Sequence, residues 1–299
     1  MTSSETPCKL AVLRWIGRQT WIPRGRGWIL RLFCDPKKCD PYPFEADFFG
    51  SIYHGVLSDH IDWNVFMYGS YAYPELSLLE ELAAEIKSRR ESVTFFDVGA
   101  NKGHHTLFMA RLVDKVIAFE PFEPARHALE HKIAANYLDN VQIFPIALGS
   151  VDNKLRYFPG GDRNSGSGTL IATETGKSRE SLTVTVRNGD SLLEECRLPR
   201  LDLLKIDVEG FEPFVLRGLL NRVCSDRPAI LTELSDLSRA GIGTESEFYK
   251  LFYEGAILAE VAGRSGCRFK LRKFRYSVSS EVLIVPPEWA DFVFHRLDD

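Results

Sequence analysis

From about residue 92 onward, short apolar runs alternate with amphipathic segments, and this alternation restricts the possible folds more than any other feature of the chain. The pattern is typical of βαβ units, which build a largely parallel sheet with helices on its faces. The predicted strands cover 92–98, 115–119, 141–148, 201–206, 228–234, 257–261 and 281–285. The predicted helices cover 103–113, 124–137, 212–220 and 245–253. We therefore expect an α/β domain over residues 91–299.

Two further segments fall outside this alternation. After residue 149 come two short predicted strands, 154–158 and 181–186, with a Gly- and Ser-rich piece between them. Such a composition is typical of a loop, and we interpret 159–180 as an inserted loop that serves as a lid or specificity element, or is simply disordered. Residues 1–90 precede the domain and contain an amphipathic helix at 76–88. We expect them to form a basic, helical N-terminal extension that covers the substrate side.

The stretch FFDVGANKGHHT, at 95–106, changes from apolar β-formers to small and polar residues where the first predicted strand ends. Ligands of open α/β sheets bind beyond the carboxyl ends of the strands. Glycine lets a ligand approach the backbone, and the following helix offers unpaired N–H groups to an anion. The pattern Asp97-x-Gly99-x-x-x-Gly103 differs from the G-x-G-x-x-G of dinucleotide folds and places an acid beside the loop. That acid favours a cationic amino group, and the helix N-terminus favours a carboxylate. The ligand should therefore contain an amino-acid moiety.

A second acid, Glu120, follows the apolar run 116–119 at the end of the next predicted strand. A carboxylate at that place can accept two hydrogen bonds from vicinal ribose hydroxyls, and bonds to a charged group contribute about 1.5–3 kcal/mol. A molecule that joins an amino acid to a ribose is S-adenosylmethionine. These residues therefore predict that cofactor.

Five segments in order, FFDVGANKGHHT, VIAFEP, IALG, LLKIDVEGFE and ILTE, resemble the FkbM family of S-adenosylmethionine-dependent methyltransferases, and the resemblance covers about residues 45–285. It implies a doubly wound, Rossmann-like seven-stranded sheet with an antiparallel strand near the C-terminus. It also implies methyl transfer mainly to hydroxyl oxygens of sugars or natural products. The cofactor contacts that it implies are Asp97, Gly99, Asn101 and Gly103 for the methionine end, Glu120 for the ribose, and Pro121, Phe122, Ile146 and Ala147 for the adenine.

The segment LLKIDVEGFE supplies the candidate catalytic residues. Asp207 and Glu209 follow the strand predicted at 201–206, which should lie beside the first strand, so that their carboxylates face the transferred methyl group. Either can act as the general base for the acceptor hydroxyl, a contribution of about 10²–10⁴-fold. Lys205 lies on the same strand face as Asp207 and can keep it ionised. Two other interpretations stay open: both carboxylates bind a divalent cation, or Glu209 caps the next helix.

Three residues are the predicted acceptor contacts: His105 after the glycines, Asn164 in the inserted loop, and Glu233 at the end of a later strand. The family usually has an apolar or aromatic pair where this chain has His104 and His105. Neighbours in a helix point about 100° apart, so the two histidines cannot easily bind one metal ion, and no metal site is predicted. Arg163, together with the basic N-terminus, indicates an anionic or hydroxyl-rich acceptor.

Composition argues against several other classes of protein. A formal net charge of -4 gives no global attraction to nucleic acid, which is not expected as a partner. No apolar run reaches the roughly 18 residues that span a bilayer, and no signal peptide is recognised. The six cysteines include no C-x-x-C pair, so we expect reduced thiols in a cytoplasmic protein, although Cys34 and Cys39 could pair or bind a metal.

The first 40 residues differ from the rest of the chain. They carry eight Lys or Arg against three acids, with three tryptophans interleaved. This mixture suits a solvated face that packs its tryptophans on the domain, or a surface that binds an anionic substrate, a membrane or a nucleic acid backbone.

The function expected from the sequence is S-adenosylmethionine-dependent transfer of a methyl group to a hydroxyl of a sugar-containing or other small-molecule acceptor. The alternatives are a catalytically silent protein of the same fold that binds the cofactor or a partner, and a nucleotide-dependent oxidoreductase. The missing G-x-G-x-x-G motif disfavours the oxidoreductase.

Overall fold

The structure is a computed structural model that describes residues 7–19, 25–160, 165–171, 181–263 and 267–297. Its strands are β1 (Pro43–Phe48), β2 (Ser51–Val56), β3 (Thr94–Val98), β4 (Lys115–Phe119), β5 (Val141–Phe144), β6 (Ala147–Gly149), β7 (Asn153–Tyr157), β8 (Leu182–Asn188), β9 (Leu203–Ile206), β10 (Ala229–Leu234), β11 (Ile257–Ala262), β12 (Lys270–Lys273) and β13 (Ser280–Val285). Its α-helices are α1 (Cys8–Arg18), α2 (Arg26–Phe33), α3 (His60–Tyr68), α4 (Tyr73–Arg89), α5 (His104–Met109), α6 (Glu123–Ala135), α7 (Gly189–Glu195), α8 (Glu212–Gly218), α9 (Leu220–Asp226), α10 (Asp236–Ile242), α11 (Glu245–Tyr249) and α12 (Ala290–Phe294).

Eight strands form the main sheet, in the order β12-β11-β13-β10-β9-β3-β4-β5. The five strands β10, β9, β3, β4 and β5, in this order in the sheet, pair in parallel, whereas β13 is antiparallel to both of its neighbours. All residues of β3 and β9 are buried, as expected for parallel strands covered on both faces. The chain enters at β3, runs outward through β4 and β5, and returns to the other side of β3 at β9, which makes β3 and β9 the border of the topological switch point. The predicted fold class is confirmed, and β12 adds an edge strand to the seven expected.

The single strand predicted at 141–148 is wrong. Pro145 has no backbone N–H to donate to a sheet, and it separates β5 from β6. β6 leaves the main sheet and pairs in parallel with β8, which pairs antiparallel with β7. The strands predicted on either side of the inserted loop are thus present as β7 and β8, in a separate three-stranded sheet.

The N-terminal extension is helical, as predicted, but contains elements that the sequence did not indicate. The helix predicted at 76–88 is part of α4, which begins earlier. The hairpin of β1 and β2 and the helix α3 were not expected. Asp59 caps α3, because its carboxylate accepts the backbone N–H groups of Ile61 and Asp62.

The extension packs on one face of the main sheet. Trp63, Tyr53 and Phe66 are fully buried, in the same hydrophobic cluster as Phe95 of β3. The next residue along the strand, Phe96, points to the opposite face and belongs to a second cluster. The extension and the sheet therefore share one core, and the division of the chain at residue 90 stays a prediction.

Two further findings concern the membrane and the thiols. None of the helices in the described part of the chain is long and apolar enough to cross a bilayer. The six cysteines, all of them described, form no disulfide, so the interpretation that Cys34 pairs with Cys39 is wrong.

Replacing Trp63 tests whether the extension is part of the core. We expect Trp63→Ala to lower the free energy of unfolding by about 3–5 kcal/mol, because the side chain is fully buried and its N–H donates to the Cys34 carbonyl at 2.8 Å. Trp15→Ala is the control: this side chain is 60% exposed, and its loss should change stability by no more than about 0.5 kcal/mol. Urea unfolding measures both, and equal effects of the two substitutions would contradict the packing.

Candidate active site

A cavity of about 380 Å³ lies at the carboxyl ends of β3, β4, β9 and β10. This volume is within the range of about 300–1,000 Å³ usual for small-molecule sites, and the location is the switch point where α/β sheets bind ligands. We call one group of lining residues the Glu120 side, formed by Gly99, Asn101, Glu120, Pro121, Ala147, Leu148 and Tyr157. We call the other group the Asp207 side, formed by Tyr71, Glu75, Asp207, Glu209, Glu233 and Glu281.

The glycines after β3 are required by protein packing. Gly99 has a φ of +84°, and a Cβ there would overlap the carbonyl oxygen of Asp207. A Cβ on Gly103 would overlap the side chain of Leu129 on α6. Gly99 lets the loops after β3 and β9 approach each other and also lines the cavity, whereas Gly103 does not line it. The expectation that these glycines make room for a ligand stays a prediction.

Glu120 is held at the cavity by two backbone donors. The N–H groups of Asn101 and Phe122 donate to its two carboxylate oxygens at 2.7 and 2.8 Å. Burial raises the pKa of this carboxyl to about 7, although the two hydrogen bonds act in the opposite direction. Each oxygen accepts one N–H and retains a lone pair, which two vicinal hydroxyls could use. The side-chain oxygen of Asn101 is buried without a hydrogen-bond partner.

The predicted adenine contacts are divided between the wall and the layer behind it. Pro121 and Ala147 line the cavity, whereas Phe122 and Ile146 do not. Phe122 stacks on the ring of Tyr157, with 5.3 Å between the centroids. Tyr157, on β7, is a lining residue that the sequence did not indicate, because only the pairing of β7 with β8 turns it toward the cavity.

Lys205 is the buried cation of the site. Its ammonium lies 3.1 Å from a carboxylate oxygen of Asp207, and its side chain is 3% exposed. Burial disfavours the ammonium, but the carboxyls of Asp207, Asp97 and Glu75 outweigh burial and raise the pKa of Lys205 above its usual value. Burial alone would raise the pKa of Asp207, but the nearby ammonium of Lys205 has the larger opposite effect. The pKa of Asp207 is therefore lowered. The ion pair that the sequence indicated is thus present.

Asp97 lies behind the cavity wall. It is fully buried, and one of its oxygens accepts the hydroxyl of Thr106 at 2.7 Å while the other has no hydrogen-bond partner. Burial raises the pKa of this carboxyl, and Lys205 opposes the rise. Asp97 therefore does not line the cavity, contrary to expectation, because its side chain turns toward α5.

Four more carboxyls surround Asp207: those of Glu75, Glu209, Glu233 and Glu281. Burial, and then the neighbouring carboxyls, raise the pKa of Glu75, Glu209 and Glu233 to about 7 and that of Glu281 well above its usual value. Glu233 and Glu281 are cross-strand partners on β10 and β13. An antiparallel strand begins at the edge of the sheet where its parallel neighbours end. Glu281 lies at the beginning of β13, so this rule would have placed it at the cavity.

The turn after β9 is fixed by Glu212. The N–H groups of Val208 and Gly210 donate to one of its carboxylate oxygens, each at 3.1 Å, and the Ser238 hydroxyl donates to the other at 2.6 Å. Helix α8 begins without a side-chain cap, so the interpretation of Glu209 as a helix cap is wrong. Glu209 has a φ of +53°, which is uncommon for a residue other than glycine, and its side chain lines the cavity.

The two histidines are buried and lie behind the wall. His104 Nε2 accepts the backbone N–H of Tyr71 at 3.3 Å, and His105 Nε2 lies 3.3 Å from a carboxyl oxygen of Glu75. Burial lowers the pKa of both histidines well below its usual value, which keeps them neutral. His105, the predicted acceptor contact, is therefore not among the residues that line the cavity, whereas its neighbour Glu75 is. Tyr71 and Glu75 are lining residues that the sequence did not indicate.

Lys102, between the glycines, connects the loop after β3 to the extension. Its ammonium lies 2.9 Å from a carboxylate oxygen of Asp59 and 3.6 Å from one of Asp62. Asp59 is the N-cap of α3 and Asp62 lies in its first turn, and the α3 residues His60 and Ile61 line the cavity. This contact fixes the part of the extension that forms cavity wall.

The inserted loop contributes to the wall within its described part. Asn164 and Arg163 lie outside the described residues. The hydroxyl of Thr169 donates to the Glu209 carbonyl at 2.8 Å, and Gly168 and Leu170 line the cavity. Within the described residues, no group of three or more His, Cys, Asp or Glu side chains is arranged to hold a metal ion.

Comparisons relate the chain to known proteins. A profile of the methyltransferase FkbM domain matches residues 97–261, more than half of the chain. Methyltransferase 1 of Beauveria bassiana is 31% identical over 41% of this chain and 57% of its own length, and the hexuronic acid methyltransferase AglP of Haloferax volcanii is 28% identical over 47% and 55%. A crystal structure of methyltransferase FkbM from Methylobacillus flagellatus has a TM-score of 0.43 and 13% identity, over 65% of this chain and 44% of that one. The chain thus spans less than two thirds of the length of these relatives.

We expect Glu233→Gln to stabilise the protein in a pH-dependent way. The pKa of Glu233 is about 7 in the folded state, against about 4.3 for an unperturbed glutamate. Between these values the folded protein holds a proton that the unfolded chain has lost, so this residue makes stability fall as pH rises through that window. The melting temperature of Glu233→Gln should exceed that of the wild type at about pH 8 and match it at about pH 4.

Glu80→Gln, on the exposed face of α4, is the control and should have no effect at either pH. Calorimetric melting of the three proteins provides the measurement. A Glu233→Gln variant with the same advantage at both pH values would show that its carboxyl does not titrate as described.

Proposed function

Because this chain belongs to the methyltransferase FkbM family, we propose that it transfers the methyl group of S-adenosylmethionine to a hydroxyl oxygen of a sugar-containing or other small-molecule acceptor. The observation that carries this proposal is one cavity, at the switch point, that joins Glu120 to the carboxyls of Asp207 and Glu209. Glu120 has acceptor lone pairs for a ribose, and the two carboxyls can hold an acceptor hydroxyl and take its proton.

The residues on the Glu120 side fit the cofactor. Glu120 would accept the ribose hydroxyls, Pro121 and Ala147 would contact the adenine, and Tyr157 would extend that wall. The buried side-chain oxygen of Asn101, which has no partner in the protein, would accept a hydrogen bond from the ammonium of the methionine part. S-adenosylmethionine supplies, when bound, a methyl carbon activated by the adjacent sulfonium.

Glu209 is the better candidate for the general base. A base works best when its pKa lies near the operating pH, and the pKa of Glu209 is about 7, whereas that of Asp207 is lowered. In the proposed reaction Glu209 takes the proton of the reacting hydroxyl, while Asp207 accepts a hydrogen bond from a neighbouring hydroxyl of the acceptor and so orients the sugar. Orientation of this kind can contribute about 7–11 kcal/mol. Lys205 acts through Asp207 and is a positioning residue.

The charge of the Asp207 side restricts the acceptor. Among the described residues five carboxyls line it: Glu75, Asp207, Glu209, Glu233 and Glu281. A carboxylate on the acceptor would be repelled by the ionised Asp207 and, as pH rises through about 7, by the three glutamates whose pKa lies there. Hydroxyl or ammonium groups would instead donate hydrogen bonds to these carboxyls. The hydroxyl-rich acceptor is therefore favoured over the anionic one, and a hexuronic acid, the acceptor in the name of one relative, is disfavoured.

Three sugars of the same ring size but different charge test how the charge of the acceptor affects its binding. With S-adenosylhomocysteine present, we expect saturable binding of glucose and glucosamine that is at least about tenfold tighter than that of glucuronate, a difference of about 1.4 kcal/mol. Saturation-transfer NMR measures the three affinities. At about pH 8, above the pKa of both residues, the double substitution Glu75→Gln/Glu233→Gln should reduce the difference. Tighter binding of glucuronate by the wild type would contradict the proposal.

Substitutions on the two sides of the cavity should separate binding from turnover. Glu120→Ala should weaken the binding of S-adenosylmethionine by about 10–100-fold, as measured by calorimetric titration, because the substitution removes hydrogen bonds to a charged group. Asp207→Asn and Glu209→Gln should bind the cofactor as the wild type does, and lose about 10²–10⁴-fold in methyl transfer to a sugar that the wild type methylates. Titration with NAD is the control. Binding of NAD in place of S-adenosylmethionine, or full activity of both carboxylate variants, would rule out these roles.

A further inference from the structure

The two N-terminal helices expose apolar side chains that take no part in the cavity. On α1, Val12 and Trp15 are 51% and 60% exposed. On α2, Trp28, Leu32 and Phe33 are 70%, 62% and 54% exposed. We call these five side chains the N-terminal apolar surface. Five large apolar side chains on two short consecutive helices are more than the single exposed residues common on soluble proteins.

Each helix already buries another face against the protein. On α1, Leu13 and Gly17 are buried, and Gly17 packs so closely that a Cβ would overlap the backbone of α3. On α2, Leu30 is fully buried. Val12 and Trp15, three residues apart, form a stripe on a different side of α1. The exposed stripe is therefore a second apolar face, which closer packing of the helix would not cover.

Positive charge accompanies this surface. The described residues 7–19 and 25–40 contain seven Lys or Arg and two Asp, in a chain whose net charge is -4. Lys9, Arg31, Lys37 and Lys38 are among the exposed cations. Helices with tryptophan, leucine and phenylalanine on one face and cations beside them bind in the interface of anionic bilayers. Tryptophan in particular prefers the headgroup level, where its ring meets both lipid and water.

We propose that the N-terminal apolar surface docks this protein on an anionic lipid bilayer. Trp15 and Trp28 enter the headgroup region, and the lysines of 37–38 contact lipid phosphates. α1, with 11 residues, is too short to cross a bilayer and lies along it. The proposal does not depend on the reaction proposed above. The one structural connection between this surface and the cavity is that α1 packs on α3, which carries two of the lining residues.

Two other occupants fit the observations less well. A second copy of the chain would bring two surfaces with the same excess of positive charge together, and like charges oppose such a contact. A nucleic acid would satisfy the cations and could stack on the tryptophans. It would leave Val12, Leu32 and Phe33 without an apolar environment, whereas the acyl boundary of a bilayer provides one.

Vesicle binding by the full chain tests the proposal. The protein is mixed with vesicles of phosphatidylcholine and phosphatidylglycerol, or of phosphatidylcholine alone, and the bound fraction is measured by co-sedimentation. We expect binding to the anionic vesicles that is at least about tenfold tighter than to the neutral ones, weakens with added salt, and shifts tryptophan fluorescence to shorter wavelength.

Matched variants identify the surface. Trp15→Ser/Trp28→Ser should lose at least about tenfold in affinity for anionic vesicles, and Lys37→Glu/Lys38→Glu should lose the preference for anionic lipid. Tyr137→Ser removes an aromatic side chain that is 93% exposed elsewhere and should bind as the wild type does. Circular dichroism and calorimetric titration with S-adenosylmethionine check that every variant is folded.

Three outcomes would overturn the proposal. The wild type stays in the supernatant with anionic vesicles, or the double tryptophan variant sediments as the wild type does. In the third, the same substitutions abolish self-association in the ultracentrifuge or binding to duplex DNA, while vesicle binding is unchanged.

Discussion

The ion pair between Lys205 and Asp207 is the interaction on which the rest of the site depends. An isolated buried ammonium is costly, and here it is compensated by Asp207, Asp97 and Glu75, which come from the loop after β9, from β3 and from α4. Asp207 and Asp97, from the sheet and its loop, supply the larger part of this compensation, and Glu75 of the extension adds to it. The charge of Lys205 also gives the acids different pKa values, because it lowers the pKa of Asp207 while burial raises that of Glu209 to about 7. This difference underlies the roles proposed above, in which Asp207 orients the acceptor and Glu209 takes the hydroxyl proton.

The extension contributes to the site as well as to the core. Trp63 joins it to the sheet, Lys102 ties its helix α3 to the loop after β3, and Tyr71 and Glu75 form part of the cavity wall. Residues that would contact the acceptor thus come from both sides of position 90. The outer side of the same extension carries the exposed tryptophans, of which Trp28 is the more exposed. The extension thereby provides cavity wall through α3 and α4 and exposes apolar side chains on α1 and α2.

The sequence predicted the centre of the fold well, because a parallel strand buried on both faces is a continuous apolar run that ends in polar residues. Glu120 and Asp207 were expected in this way at the carboxyl ends of the two strands that flank β3, and both line the cavity. The position of a residue at the end of a strand does not decide which way its side chain points. For this reason Asp97 and His105 were expected to line the cavity, whereas both lie behind its wall. Glu281 became visible only with the antiparallel pairing of β13, which is a long-range contact. The extension was the least predictable part, since its hairpin and α3 are stabilised by packing on the sheet.

A crystal structure with S-adenosylhomocysteine, the product form of the proposed cofactor, tests the central claim most directly. We predict that both carboxylate oxygens of Glu120 lie about 2.5–3.0 Å from the ribose hydroxyls, with the adenine against Pro121 and Ala147. The sulfur should point to the side of the cavity where Asp207 and Glu209 lie. A ligand bound outside this cavity, or within it with the ribose away from Glu120, would contradict the assignment of the site.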